Sequence, residues 1–323
     1  MTGRLSRRGA LRVLGAGLAL PFGVMGLRGV RDAPAPVQWH GEVLGALSSM
    51  TLWHPNPGVA RRAIARMLVE IDRLEGIFSL YRPTSEIARL NRDGVLAAPS
   101  RDLVDVLDQS RRIADLSGGA FDPTIQPLWR LHANGRTAPD PAALDRARTL
   151  VDHRALTVSA RTIRFARPGM AVSLNGIAQG HITDRITDIL GTEGFESAMI
   201  ELGETRALGA APDGKPFSVG LVNPQAPATT AHDLPLANAA LSVSGGYGLT
   251  FDSSGRHHIL DPTTGQSADR LAQVAVISPR AIWADALSTA IYVTGEAKAG
   301  PLLAAYPGSR AILSRKDGTT RQV

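Results

Sequence analysis

The stretch ADALSTA, residues 284–290, sets Asp285, Ser288 and Thr289 three and four positions apart. On a helix that spacing projects a carboxylate and two hydroxyls from one face. All three are hard oxygen donors, the kind magnesium prefers in octahedral array with water or phosphate in its remaining positions. The same spacing would also suit an N-terminal capping aspartate followed by hydroxyls that bond back to the helix carbonyls. A second stretch, NGIAQGHITD from Asn175 to Asp184, has the two glycines and small residues of a phosphate-holding loop at the start of a helix. It contains no lysine, so any positive charge for a phosphate must come from elsewhere.

SGRHHILDPTTG, residues 254–265, places His257 and His258 at the end of a strand that leads into the turn Asp261-Pro262-Thr263-Thr264-Gly265. One of the two histidines, alternating inward, could serve as a base near neutral pH. A satisfied, half-buried histidine beside a hairpin has the same signature. No third nitrogen or carboxylate accompanies the pair, as a zinc site would require. SGGAFDPTIQPLW, residues 117–129, combines glycines that admit a ligand to the backbone, Asp122 as an acceptor, and Phe121 and Trp129 as aromatic surface. A glycine pair after a helix also reads as a C-cap. Tyr81 in FSLYRPTSEIARLN is suited to stacking on a planar ring or to core packing, and SVSGGYG, residues 242–248, is a further glycine-rich turn after a strand.

These stretches need elements to hold them. Apolar residues at Ala60, Ile64, Met67, Leu68, Ile71 and Leu74 recur at helical spacing over 58–78, with Arg61, Arg62, Arg66 and Glu70 on the wet face. Leu103, Val106, Leu107 and Ile113 repeat the pattern over 101–116, and Ile182, Ile186 and Ile189 predict a helix over 179–190. Strand-like runs lie near 200, 242 and 275, and a final helix pair carries WADALSTAIYVTG and EAKAGPLLAAY. Helices and strands are interspersed without the regular beat of a doubly wound sheet. The expectation is a mixed α/β (α+β) fold: one domain over 43–318, of two intimate halves, with mixed sheets packed against helices.

Charge and composition narrow the function. The chain has 323 residues and a formal charge of +6, but six of its 35 basic residues lie in the first 31 positions, which contain no Asp or Glu. The remaining 29 basic residues match 29 acidic ones, so the body is formally neutral and nucleic acid is not an expected partner. Residues 1–31 read as a twin-arginine export signal, with Arg7-Arg8 before a glycine-rich apolar stretch, and 32–42 as a Pro/Ala linker. Ala33-Pro34-Ala35 has the form of a cleavage site, but Pro36 would hinder the cut, and an uncut leader would anchor the protein to the inner membrane. The expected location is periplasmic. Cysteine is absent, which excludes disulfides, thiolate metal sites and a cysteine nucleophile.

Taken in order, FSLYRPTSEIARLN, GGAFDPTIQPLW, NGIAQGHITDRI, IELGETRALG, SVSGGYG, HILDPTTG and ADALSTAIYVTG resemble the successive blocks of the ApbE family, the FAD:protein FMN transferases, over about residues 43–315. The third block and the leader resemble the NosX branch, whose exported members accompany nitrous oxide reduction. Such enzymes break the pyrophosphate of FAD, release AMP and leave FMN on a Ser or Thr hydroxyl of a target protein. The resemblance implies magnesium at Asp285, Ser288, Thr289 and the Gly176 carbonyl. It implies FAD contacts at Leu47, Tyr81, Ala120, Phe121, Asp122, Ser173, Gln179 and Leu260, and His258 as the base for the acceptor hydroxyl. A NosR-like, exported or membrane-bound flavoprotein would be the acceptor. Many relatives carry aspartate and lysine where this chain has Ser173 and Gln179, a paired loss that keeps the local charge balanced. Losing a charged donor weakens binding by about 1 to 3 kcal/mol where nothing compensates. In IELGETRALG, Glu204 stands where the family usually has a second glycine followed by aspartate. A FAD pyrophosphatase using water as acceptor and a non-catalytic FAD-binding donor protein are the competing readings.

Overall fold

In a computed structural model the described residues are 34–135 and 138–323. The expected export signal, with its twin arginine, lies outside them. Strands β1 (Val37–Val43) and β2 (Ala46–Trp53) open the chain, followed by helices α1 (Pro57–Phe78) and α2 (Glu86–Asp93), strand β3 (Val95–Ala97), and helices α3 (Arg101–Ser117), α4 (Gln126–Asn134) and α5 (Pro141–Arg148). Strands β4 (Leu156–Val158) and β5 (Thr162–Phe165) precede helix α6 (Ala178–Thr192). Five strands come next: β6 (Ser197–Glu201), β7 (Thr205–Gly209), β8 (Phe217–Val222), β9 (Thr230–Leu236) and β10 (Ala240–Gly245). After β11 (Gln273–Ser278) come helices α7 (Ala281–Thr294) and α8 (Glu296–Ala304), then β12 (Arg310–Ser314) and β13 (Thr320–Gln322).

The main sheet has eight strands in the order β1-β2-β6-β7-β10-β11-β12-β13, with smaller sheets β3-β5-β4 and β8-β9. The pairings are antiparallel throughout, so the mixture is of helices with strands rather than of strand directions. The fold is the single mixed α/β domain expected, but its ends differ. Strand β1 begins at Val37 inside the expected linker, because Val37 and Trp39 alternate onto the core while β1 pairs with β2 from Val37↔Leu52 to Val43↔Ala46. At the other end β13 pairs with β12 beyond residue 318. The two histidines do not end a strand either: segment 246–272 makes only isolated bridges, Thr250↔His257 and Leu260↔Ser267.

Helix α7 is apolar on every side, with Ala284, Ala286, Leu287, Ala290 and Ile291 fully buried, which makes it a central helix instead of an amphipathic one. Any polar side chain it carries must therefore find a partner inside the protein. Among the described residues no helix is long and apolar enough to cross a membrane.

Candidate active site

Helices α6 and α7 hold each other's first turns. The Asp184 carboxylate accepts from the backbone N–H of Ala281 (2.8 Å) and Ile282 (3.0 Å), capping α7 from outside, since Arg280 at the cap position supplies no side-chain bond. In return Asp285 accepts from the backbone N–H of Gly180 in the first turn of α6 (3.0 Å). Each carboxylate satisfies amides that a helix start leaves without partners and meets the positive end of the helix dipole. Asp285 is thus not the cap of its own helix, and the two motifs ADALSTA and NGIAQGHITD are brought together. Glycine permits the contact: a Cβ on Gly180 would lie 2.5 Å from the Ala281 carbonyl oxygen. Likewise a Cβ on Gly176 would lie 3.2 Å from Thr289 Oγ1 and 3.3 Å from Phe121 Cε2.

This junction lines a cavity of about 640 Å³, within the range of small-molecule sites. Asp285, Thr289, Gly176, Gln179 and Ser173 line it, with Phe121, Ala120, Asp122, Leu260 and His258 along its sides. Tyr81 (43% exposed) and Leu47 (61% exposed) stand on its wall as two of the few exposed large apolar residues. Tyr81 is therefore not a core aromatic; partial burial pushes its phenol up to about 12.

Ser288 is the exception. It is 0% exposed, its hydroxyl donates to the Asp285 carbonyl (2.9 Å), and it shares hydrogen bonds with Ser242 (3.0 Å) and Ser244 (2.8 Å). It does not line the cavity, because its hydroxyl is enclosed among the Asp285 carbonyl and the two β10 serines, where it packs α7 against that strand instead of offering the ligand oxygen expected of it. Asp122 is also corrected in part. Its Oδ1 accepts from the Thr124 amide (2.8 Å) and hydroxyl (2.6 Å), and its Oδ2 faces both the backbone N–H and Nδ1 of His153 (3.0 Å each). Both oxygens are thus occupied internally, and Asp122 shapes the loop more than it offers an acceptor. His153 in turn lies between Asp122 and Asp115, whose carboxylates raise its pKa above the ordinary imidazole value.

The histidine pair resolves cleanly. His257 is the inward one: its Nε2 lies 2.8 Å from the Ala268 carbonyl and its Nδ1 accepts from the Ile259 amide. Both nitrogens are used, and it is structural. His258 has Nδ1 3.1 Å from the Leu249 carbonyl; a carbonyl can only accept, so Nδ1 carries the proton. Its Nε2 is left unprotonated, with no partner among the described residues, on a ring that lines the cavity. Burial lowers the His258 pKa to about 4, which keeps the ring neutral at physiological pH.

Three residues at the site were not singled out as chemistry: Glu204, Ser242 and Ser244 all line the cavity. Glu204 is only 9% exposed, and burial followed by the nearby charge of Asp285 raises its pKa well above the carboxylate range. Burial likewise raises Asp285 to about 7, opposed by the Gly180 amide. Asp122, Glu201, Glu204 and Asp285 all line this cavity, and among the described residues no lysine or arginine does. No group of three or more His, Asp or Glu poised for a metal occurs among the described residues, so any cation site here must draw on hydroxyl, backbone or ligand oxygens.

A buried carboxylate beside a hydroxyl and a glycine turn, with an unprotonated imidazole nitrogen on the same cavity, defines an enzyme built to act on a bound small molecule. Comparison with known proteins makes the class specific. The chain matches the ApbE family over residues 44–313 and belongs to it. It is 30% identical over 308 residues to the FAD:protein FMN transferase of Treponema pallidum (strain Nichols), covering 86% of this chain and 84% of that one. It is 32% identical over 258 residues to that of Vibrio cholerae, covering 74% and 76%. The fold is similar to the solved flavin transferase ApbE from Vibrio cholerae, with a TM-score of 0.76 at 25% identity over 89% of this chain and 97% of that one. It is similar also to the Pseudomonas stutzeri flavinyl transferase ApbE, with a TM-score of 0.76 at 25% identity over 91% and 96%. The protein is thus an enzyme of the ApbE family.

Proposed function

We propose that this protein transfers FMN from FAD to a Ser or Thr hydroxyl of a target flavoprotein, with release of AMP, and that the reaction depends on magnesium. The observation that carries the reading is the meeting of Asp285 and Thr289 with the Gly176 turn on a cavity that holds carboxylates and, among the described residues, no lysine or arginine. A diphosphate cannot enter such a cavity without a cation to offset its charge. The donors fit magnesium: the Asp285 carboxylate, the Thr289 hydroxyl and the Gly176 carbonyl are all hard oxygens. Bound there, the ion would neutralise the diphosphate and stabilise charge on its oxygens during the displacement.

The chain's own residues supply the rest. Tyr81 and Leu47 offer apolar surface to the flavin ring, and Gln179 and Ser173 offer neutral hydrogen bonds near the phosphates. His258 Nε2 takes the acceptor's hydroxyl proton. The hydroxyl oxygen then bonds to the FMN-side phosphorus, the bond from that phosphorus to the bridging oxygen breaks, and AMP leaves with the electron pair. The twin-arginine leader motivates an exported acceptor met in the periplasm, and the third block motivates a NosX-like role with a NosR-like, membrane-bound partner. The test is incubation with FAD and Mg²⁺, with and without a candidate acceptor. AMP release that depends on the acceptor, with flavin retained on it through denaturation, is expected. Acceptor-independent AMP and free FMN would show a pyrophosphatase instead, and FAD retained without turnover would show a donor protein.

A further inference from the structure

We propose that Glu204 is the second carboxylate of the cation site, joining Asp285 to bind a divalent ion, so that the charge absent from the loop at Gln179 is supplied wholly from solution. The inference rests on the magnesium reading of Asp285 and Thr289 and adds a ligand to it.

Glu204 sits in the turn between β6 and β7, where the Leu202 amide donates to its own carbonyl (3.1 Å) and the backbone bends sharply at Gly203, whose φ is +95°. The Glu204 side chain is buried (9% exposed) and lines the same cavity as Asp285 and Ser242. Asp285 is 4% exposed; its Oδ2 is held by Gly180, while Oδ1 has no hydrogen bond among the described residues, on a side chain that lines the cavity. Two carboxylates enclosed together need a proton or a cation between them. Among the described residues no lysine or arginine lines the cavity to provide one.

Gln179 explains why. A Cβ on Gly203 would lie 2.5 Å from Gln179 Cδ and Nε2, so the Gln179 amide rests on the very turn that carries Glu204. A lysine in its place would bring an ammonium group beside the two carboxylates and compete with a bound ion. A neutral residue at 179 and an acidic one at 204 therefore form one arrangement: together they leave a site of formal charge −2 matched to a divalent ion. Oxygen ligands from Asp285, Glu204 and Thr289 select a hard cation over zinc or copper.

The test is Mn²⁺ binding to the full chain without FAD, read from the free-ion electron paramagnetic resonance signal. Glu204→Gln should weaken Mn²⁺ affinity by about ten- to a hundredfold, as loss of even an outer partner of a metal site does. Glu204→Asp should recover part of it. Gln179→Lys, which leaves both carboxylates in place, should weaken Mn²⁺ by at least about tenfold, and this arm stands even if the Glu204 variants fold poorly. Wild-type affinity in Glu204→Gln or in Gln179→Lys, alongside lost binding in Asp285→Asn, would overturn the role of Glu204 and leave the Asp285 site intact. Unchanged binding in Asp285→Asn, or none in the wild type, would overturn the cation site itself.

Discussion

Gly180→Ala tests whether the α6–α7 contact assembles the site. In an ordinary helix this change is stabilising by about 0.5 to 1 kcal/mol, because glycine loses more backbone freedom on folding. Here the added Cβ would meet the Ala281 carbonyl oxygen at 2.5 Å, the Ala281 carbonyl carbon at 2.7 Å and the Ile282 Cα at 2.7 Å. All three are backbone atoms that no rotamer change can move. Ordinary contact begins near 3.4 Å, so the helices must separate by about 0.9 Å. Overpacking of this kind costs about 1 to 3 kcal/mol, which reverses the sign of the intrinsic effect. The same shift lengthens the Gly180–Asp285 hydrogen bond and moves Thr289 away from Gly176, and misplacement near 1 Å at a reacting centre costs about 100-fold in rate. The comparison is Gly191→Ala in the same helix, where the added Cβ meets nothing within 4 Å. Urea unfolding should place Gly191→Ala above the wild type and Gly180→Ala below it, and AMP release from FAD should fall only in the latter. A stabilised, fully active Gly180→Ala protein would refute the close approach and the dependence of the site on it.

Three further outcomes are expected. Asp285→Asn should abolish Mg²⁺-dependent AMP release, with a loss of at least about 100-fold. It should nonetheless raise the metal-free unfolding midpoint at pH 8: a folded-state pKa raised to about 7 means the charged carboxylate destabilises the fold above the unfolded value, a burden absent at pH 3. His258→Asn should cut transfer by about 10²- to 10⁴-fold while FAD binding persists, and at saturating Mg²⁺, which holds Asp285 ionised, the wild-type acid limb in kcat/KM should fall near pH 4 instead of 6.5, because protonation of the lowered His258 removes the base only there. His153 has a raised pKa, so its ion pairs with Asp122 and Asp115 stabilise fully below the unfolded value near 6.5 and are lost as pH rises through the folded one. The urea midpoint of the wild type should exceed that of His153→Gln by more at pH 5.5 than at pH 9; an equal gap at both would refute the charged pairing.

Much of this was legible in the sequence. The 3.6-residue spacing in 58–78, 101–116 and 179–190 corresponds to α1, α3 and α6, since an amphipathic stripe is a local property of the chain. The oxygen-rich face of ADALSTA and the lysine-free glycine turn were visible as types and spacings. What spacing leaves open is which way a side chain points once its helix is buried on all sides. Asp285, Ser288 and Thr289 share a face in sequence, yet α7 packs so that Ser288 goes to the β10 serines while Asp285 and Thr289 reach the cavity. Adjacent histidines look alike in sequence, and only the placement of the Ala268 and Leu249 carbonyls makes one structural and leaves the other a free nitrogen. Glu204 was seen merely as a departure in a motif, because its partner Asp285 lies 81 positions away in the chain. The sequence alone determined the elements and the chemical kinds of donor. The tertiary structure alone decided which donors meet, since Asp184 capping α7 and Asp285 capping α6 are contacts across about a hundred residues that only packing can bring within 3 Å.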